Sequence, residues 1–259
     1  MGKECLVYPG SRRNRPHDRG HADGKHPGVV SRPGKTVAVA GNALITGASG
    51  LLGRELSRLL YRRGFAVAAQ YYSHLPEEMP GNWIQGDLSS PDATRDFLRH
   101  HQALLQRCSY FVHAYGPISS KALNELDSAD FLRDFQGNVV AFHAISTQLL
   151  QWGVLESAVA VGFSDVGKIR PYRMIMTHAA AKNALLLLVL SLAGENPRVR
   201  FNMVSPSTLA GARIVDPDHE PLGVAAAATA IANTLEAKIS GIHLRVTPDH
   251  PDGEVAHAL

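Results

Sequence analysis

Residues 45–56 read "ITGASGLLGREL", and this stretch decides the fold. The segment leading into it, "NALITG" from Asn42 to Gly47, is a short apolar run of the kind that forms a buried strand. Beyond it, Leu52, Leu56, Leu59 and Leu60 recur at helical spacing until Gly64 stops the helix. Gly47, Gly50 and Gly53 therefore lie three apart across a strand-to-helix turn. Gly47 permits the sharp turn, Gly50 lets a diphosphate approach the backbone, and Gly53 lets the helix pack on the strand. The helix start supplies free amides and the positive end of its dipole, which together suit phosphate groups. Three glycines alone carry little weight; their place between a strand and a helix points to a dinucleotide site.

The same alternation continues outward. "FAVAAQYY" reads as a second strand, "NWIQGDL" as a third, "SYFVHAYG" as a fourth, "LESAVAVGF" as a fifth and "VRFNMVSP" as a sixth, with "GIHLRVTPD" as the last. Between them lie "PDATRDFLRHHQALLQR", which opens with proline at a helix start, a long helix from about Ser128 to Trp152, "MIMTHAAAKNALLLLVLSLAG" and "LGVAAAATAIANTLEA". Strands that read as continuous apolar runs and alternate with helices imply a parallel sheet covered on both faces. The expectation is an α/β chain with a single doubly wound Rossmann-type domain over residues 42–259. Its ligand should lie at the carboxyl ends of the strands.

Residues 1–41 are a different material. "SRRNRPHDRGHADGKHPG" is polar and rich in glycine, proline and charge, so it is expected to be a disordered basic arm. Eight basic residues stand against three acidic ones before position 43, whereas the whole chain is only +3, so the remainder is slightly acidic. A basic arm could touch nucleic acid, but a disordered leader is the plainer expectation. His17, His21 and His26 match no metal-ligand spacing, and Cys5 and Cys108 are too few and scattered for a disulfide framework or cysteine metal site. No metal is expected. The longest apolar run, Ala184 to Ala193, is about half of a membrane span, and no secretory signal is visible. A cytoplasmic protein without membrane partners is the expectation.

The end of the second strand bears on the nucleotide. "AAQYYSHLPEE" offers Tyr72, Ser73 and His74 where an acidic residue would hold the ribose hydroxyls of NAD. Without that carboxylate a 2′-phosphate is tolerated, so NADP(H) is favoured over NAD(H), although no arginine stands there to grip the phosphate.

Taken together, these residues resemble the short-chain dehydrogenase/reductase family, from about Ala43 to the end. "TGASGLLG", with Gly47, Ser49, Gly50, Leu51, Leu52 and Gly53, matches the family's nucleotide loop, with glycine spacing like that of the longer extended members. "GDLS" carries Asp87 and Leu88, where the family's aspartate contacts adenine. "FVHAYG" places Ala114, Tyr115 and Gly116 at the Asn-Asn-Ala-Gly strand, with His113 replacing an asparagine. Asn138 matches the family's structural and catalytic asparagine, and "FNMVSPS" matches the strand ending in Pro-Gly, with Pro206 kept and Ser207 in place of glycine. The "QYYSH" loop and Asp165, thirteen residues before His178, resemble the pteridine and dihydromonapterin reductases. Two departures are Leu51, where those enzymes carry an arginine, and Ile118, where an aromatic would stack on the pterin.

"MTHAAAKNALLLL", from Met176 to Leu188, carries the chemistry that the resemblance implies. In the family a tyrosine and a lysine four apart face the nucleotide from one side of a helix. The lysine holds the ribose and lowers the tyrosine pKa. Lys182 is at the lysine position, and His178 stands where the tyrosine belongs. Three readings stay open. His178 donates the proton, although Lys182 would depress its pKa; or Asp165, Ser164, Tyr172 or a water donates it; or hydride chemistry has been lost. His113 reads as a satisfied core histidine, and Tyr115 either walls the nicotinamide pocket or merely packs. The first function to consider is an NADPH-dependent reductase of a small polar carbonyl or imine, such as a pterin; the alternative is a catalytically impaired NAD(P)-binding regulatory or scaffold protein. The short stretch "TLAGARIVDPDHEPLG" predicts an open substrate site or one completed by a partner chain, and Arg213 and Asp216 either meet a polar substrate or are exposed loop charges. The helix "NALLLLVLSLA" is apolar nearly all round, which with the resemblance implies a homodimer or homotetramer.

Overall fold

The computed structural model describes residues 40–77, 79–212 and 220–259. The expected arm lies outside them except for its last two positions, and Gly41 already belongs to the first strand. Arg213 and Asp216 also fall outside the described residues.

Eight strands form one sheet. They are β1 (Gly41–Thr46), β2 (Phe65–Tyr71), β3 (Asn82–Gln85), β4 (Tyr110–His113), β5 (Ser157–Val161), β6 (Arg200–Pro206), β7 (Ile242–Val246) and β8 (Glu254–Ala258). Their order is β3-β2-β1-β4-β5-β6-β7-β8, and every pairing is parallel except β7 with β8. The order reverses between β1 and β4, which opens a crevice at their carboxyl ends. The helices are α1 (Leu51–Arg62), α2 (Pro91–His100), α3 (Gln102–Leu105), α4 (Ser128–Phe135), α5 (Ala141–Gln151), α6 (Met176–Glu195) and α7 (Val224–Glu236).

Strand pleating divides the core in two, because successive side chains point to opposite faces. Ala43 and Ile45 of β1 pack with Leu56 and Leu60 of α1 and Ile231 and Leu235 of α7. Leu44, between them, faces the other way, in a cluster with Phe97 of α2, Phe142 and Ile145 of α5, and Leu185 and Val189 of α6. β5 alternates likewise, with Ala158 and Ala160 on one side and Val159 and Val161 on the other. These side chains are almost wholly buried, and truncating a leucine such as Leu56 to alanine should cost about 2–5 kcal/mol.

Four expectations are corrected by the structure. The third and fourth strands are shorter than read: Gly86 and Ala114 still donate to Tyr71 O and Thr46 O, and the chain then runs on outside the ladder. The helix after β3 breaks at His101, whose amide closes α2 on Phe97 O while the amides of Leu104 and Leu105 return to His101 O. The long helix is interrupted by a π turn over Gln136–Val140. The chain also adds β8 after the strand read as last. Its pattern is nearly all exposed, and an edge strand of that kind gives little apolar signal. Among the described residues α6 alone is long and apolar enough to cross a membrane, but half of that window is buried inside the domain.

Candidate functional site

The glycine loop lies at the carboxyl end of β1. Gly47 adopts φ +69°, and a Cβ there would lie 2.7 Å from the backbone of Tyr115, so both conformation and space demand glycine. A Cβ on Gly53 would overlap Gly47 O, whereas one on Gly50 would meet only Gly47 O, at 3.2 Å. Gly50 is exposed and leaves room in front of the loop. Gln70 of β2 fastens the loop from behind: its Oε1 accepts from Gly47 N at 2.8 Å and its Nε2 donates to Gly86 O at 2.7 Å. The first helical bond of α1 is Arg54 N to Gly50 O. Among the described residues no acceptor meets the amides of Ser49, Leu51, Leu52 or Gly53. Unpartnered helix-start amides with open space ahead form a cradle that fits a diphosphate.

The other nucleotide candidates line the same edge. Tyr72 and Ser73 follow β2 and are exposed, with Ser73 hydrogen-bonded to His74 at 2.7 Å. Asp87 is half-buried and accepts from Ser89 N through Oδ1 at 2.8 Å, while Leu88 is buried. Ala114, Tyr115 and Gly116 follow β4. Tyr115 sets its ring edge-on to His113, and burial, then the nearby Asp87 carboxylate, raises its phenol pKa. It therefore stays protonated. Pro206 ends β6, and its carbonyl accepts from Ser164 N at 3.0 Å.

Two catalytic candidates, Asn138 and His178, meet at one carbonyl, that of Pro117. Asn138 Nδ2 donates to Pro117 O at 3.0 Å and also to Asp134 O at 2.8 Å. His178 Nδ1 lies 3.1 Å from the same Pro117 O. A Cβ on Gly116 would lie 2.5 Å from Asn138 Oδ1 and 3.1 Å from Lys182 Nζ, so the Gly116 backbone lies directly over both. Lys182 is buried and donates to Val161 O at 2.6 Å. Burial lowers its pKa to about 7, because an ammonium group loses its hydration there. Burial first and the Lys182 charge second bring His178 to about 4. His178 is therefore neutral at neutral pH, and its one N–H is directed at Pro117. Asn138 Oδ1 is buried without a donor.

His113 joins this cluster structurally. Its Nδ1 lies 2.8 Å from Thr46 Oγ1 and its Nε2 2.9 Å from Gly137 O, which ties β1 and β4 to the π turn. Burial, then Lys182, lowers its pKa to about 3. It is a satisfied core histidine.

The remaining candidates are occupied elsewhere. Asp165 is paired with Lys168 at 2.8 Å and with Arg170, so its carboxylate is held by two cations rather than directed at His178. Tyr172 donates its hydroxyl to the carbonyls of Asp165 and Lys168. The Ser164 hydroxyl has no protein partner among the described residues, and its position places it beyond β5.

Sequence reasoning missed a buried support. Asp134 is fully buried; its Oδ2 accepts from Thr177 Oγ1 at 2.6 Å and Ser119 N at 3.0 Å, and its Oδ1 from Ser119 Oγ at 2.9 Å. It thereby joins α4 to the residue preceding His178 and to the strap carrying Pro117. The signal was present: Asp134 and Asn138 lie four apart on one helix. Gln70 was also missed, although a glutamine inside the otherwise apolar "FAVAAQYY" calls for a partner.

The family model for NAD-dependent epimerases and dehydratases matches residues 43–247. No curated protein gives a sequence match. Solved structures share the fold at low identity. The landomycin C-6 ketoreductase with bound NADP and rabelomycin is 20% identical, with a TM-score of 0.69 over 80% of this chain and 94% of that one. A blue fluorescent protein from a metagenomic library, in complex with NADPH, is 20% identical, with a TM-score of 0.69 over 80% and 96%. A double mutant of a Serratia marcescens short-chain dehydrogenase/reductase is 17% identical, with a TM-score of 0.70 over 80% and 96%.

Proposed function

Because this chain belongs to the NAD-dependent epimerase/dehydratase family, with a short-chain dehydrogenase/reductase fold, we propose that it binds a nicotinamide dinucleotide and exchanges hydride with a small polar carbonyl or imine. The observation that carries this reading is the set of unpartnered amides at Ser49 and Leu51–Gly53 on the same sheet edge as Lys182 and Asn138. NADP(H) is the favoured nucleotide, since Tyr72, Ser73 and His74 place no carboxylate where a 2′-phosphate would sit. Dihydropterins are the first substrates to try.

When bound, the nicotinamide would supply or take up the hydride. The chain's own residues do the rest. Lys182 Nζ holds or releases a proton near neutral pH, where its pKa of about 7 makes both forms available. Asn138 Nδ2 holds the Pro117 carbonyl at 3.0 Å. His113 fixes the π turn that carries Asn138. The expected test is a spectrophotometric assay of NADPH oxidation over pterins, quinones and ketones. Turnover that falls about 100-fold or more in Lys182→Met, within the range of general acid–base contributions, supports the reading. Turnover unchanged in that variant contradicts it.

A second reading is nucleotide binding without turnover, in a regulatory or scaffold role. It is favoured by the engagement of Asp165 and Tyr172 and by the neutral His178. It predicts NADPH binding with no oxidation over the whole panel, and no activity restored in His178→Tyr.

The chain also carries an apolar face suited to self-association. Leu187 of α6 is 68% exposed in the single chain. Pairing of this helix across a two-fold would give a homodimer or homotetramer, and a monodisperse monomer in light scattering would exclude it.

A further inference from the structure

The carbonyl of Pro117 can only accept a hydrogen bond. Since His178 Nδ1 lies 3.1 Å from it, Nδ1 carries the proton of the neutral ring, and Nε2 is left as a bare lone pair. The arrangement is held from several sides. Asn138 Nδ2 fixes Pro117 O at 3.0 Å. Ser119, two residues further along the strap, is bonded to Asp134 through both its amide and its hydroxyl. Thr177, the residue before His178, is bonded to the same carboxylate at 2.6 Å. The Phe163 ring lies 5.9 Å from the His178 ring, tilted against it. Among the described residues Nε2 has no hydrogen-bond partner, and it is not among the polar atoms shut away from solvent. The charges that act on the ring are Lys182, which opposes an imidazolium, and Asp134, which partly offsets it.

We infer that His178 is a fixed hydrogen-bond acceptor which reads a donor on the substrate: the compound held beside the nucleotide presents an O–H or N–H to Nε2. The substrate class narrows to carbonyl or imine compounds, and their alcohol or amine partners, that carry such a donor within a bond or two of the reacting carbon. α-Hydroxy ketones, secondary alcohols and cyclic amides fit; a simple ketone would set its oxygen against a lone pair. This inference rests on the oxidoreductase reading for the word substrate, but the acceptor itself is a property of the folded chain. Proton transfer then falls to Lys182, and His178 selects and orients.

The test is nitrogen-15 NMR of the full chain labelled at histidine, at pH 7 with NADP+ present. The His178 signals are identified by their loss in His178→Gln. The expected spectrum has a protonated Nδ1 and an unprotonated Nε2. Adding 2-pyrrolidinone, a lactam with one N–H, should move the Nε2 signal upfield, while N-methyl-2-pyrrolidinone should not; the first should bind about tenfold or more tighter, roughly the worth of one good hydrogen bond. In His178→Phe that preference should vanish. A proton on Nε2, an imidazolium, equal response to both lactams, or no response to either overturns the proposal. The oxidoreductase reading fails by a different result, the absence of nucleotide binding, which leaves the protonation pattern of His178 readable.

Discussion

The two ends of the crevice are built on opposite plans. At the glycine loop the chain leaves hydrogen-bond donors open: the amides of Ser49, Leu51, Leu52 and Gly53 meet no acceptor. Around Pro117 the donors of Asn138, His178 and Thr177 are taken up by the protein, and the atom left open is an acceptor, His178 Nε2. Open donors suit an anion; open acceptors suit hydroxyl and N–H groups. The glycine loop, residues 47–53, contains no titratable side chain, and the second end is dense with buried ones. Nucleotide capture and substrate selection are therefore separable, the former set by backbone and the latter by a cage of side chains.

Asp134→Ala is expected to give the largest effect and to break the cage alone. It strips partners from Ser119 N and Thr177 Oγ1, at about 2–4 kcal/mol of stability, while NADPH affinity in the folded fraction stays within about threefold, or about 0.65 kcal/mol. Urea unfolding and calorimetry on one sample check both. Gly50→Val should do the reverse. A side chain in front of the open amides should weaken NADPH binding about 30-fold or more, roughly 2 kcal/mol, with little change in unfolding midpoint because the position is open. Gln70→Leu is intermediate, since it orphans Gly47 N and Gly86 O behind the loop. It should cost about 1–3 kcal/mol and weaken nucleotide binding modestly.

Beyond these substitutions, pH should act on only one of the two ends. Burial holds His113 at about 3 and His178 at about 4, against an ordinary 6.5. Both take up protons more readily in the unfolded chain. Their contribution is complete above pH 6.5 and is lost as pH falls toward 4, by up to about 1.4 kcal/mol per pH unit for each. Lys182, lowered from 10.5 to about 7, has the same sign at higher pH, so stability should rise between those values. Denaturation across pH should show both slopes, and Lys182→Met should flatten the upper one. Nucleotide affinity of Gln70→Leu and wild type should differ by a constant factor over the same range, since the loop does not titrate.

The nucleotide end was legible in the sequence because its logic is local. Glycine spacing between an apolar run and a leucine period specifies a turn, a close approach and a packing contact within twelve residues. The parallel sheet covered on both faces followed from strand and helix alternation. The cage was not legible to the same degree. Lys182, Asn138 and His178 could be placed on their helices by resemblance, but the tautomer of His178 depends on a backbone carbonyl 61 positions away. Asp165 looked apt by spacing, yet Lys168 and Arg170, three and five residues on, hold it. Asp134 acts through Ser119 and Thr177, on two segments distant in sequence. Strand β8 escaped because an exposed antiparallel edge has no apolar alternation to read.

The most direct test of the central claim is calorimetric titration of the full chain with NADPH and then NADH. Micromolar binding of NADPH, tighter than that of NADH and reduced in Gly50→Val, is the predicted result. Failure of both nucleotides to bind at millimolar concentration would contradict the account at its base.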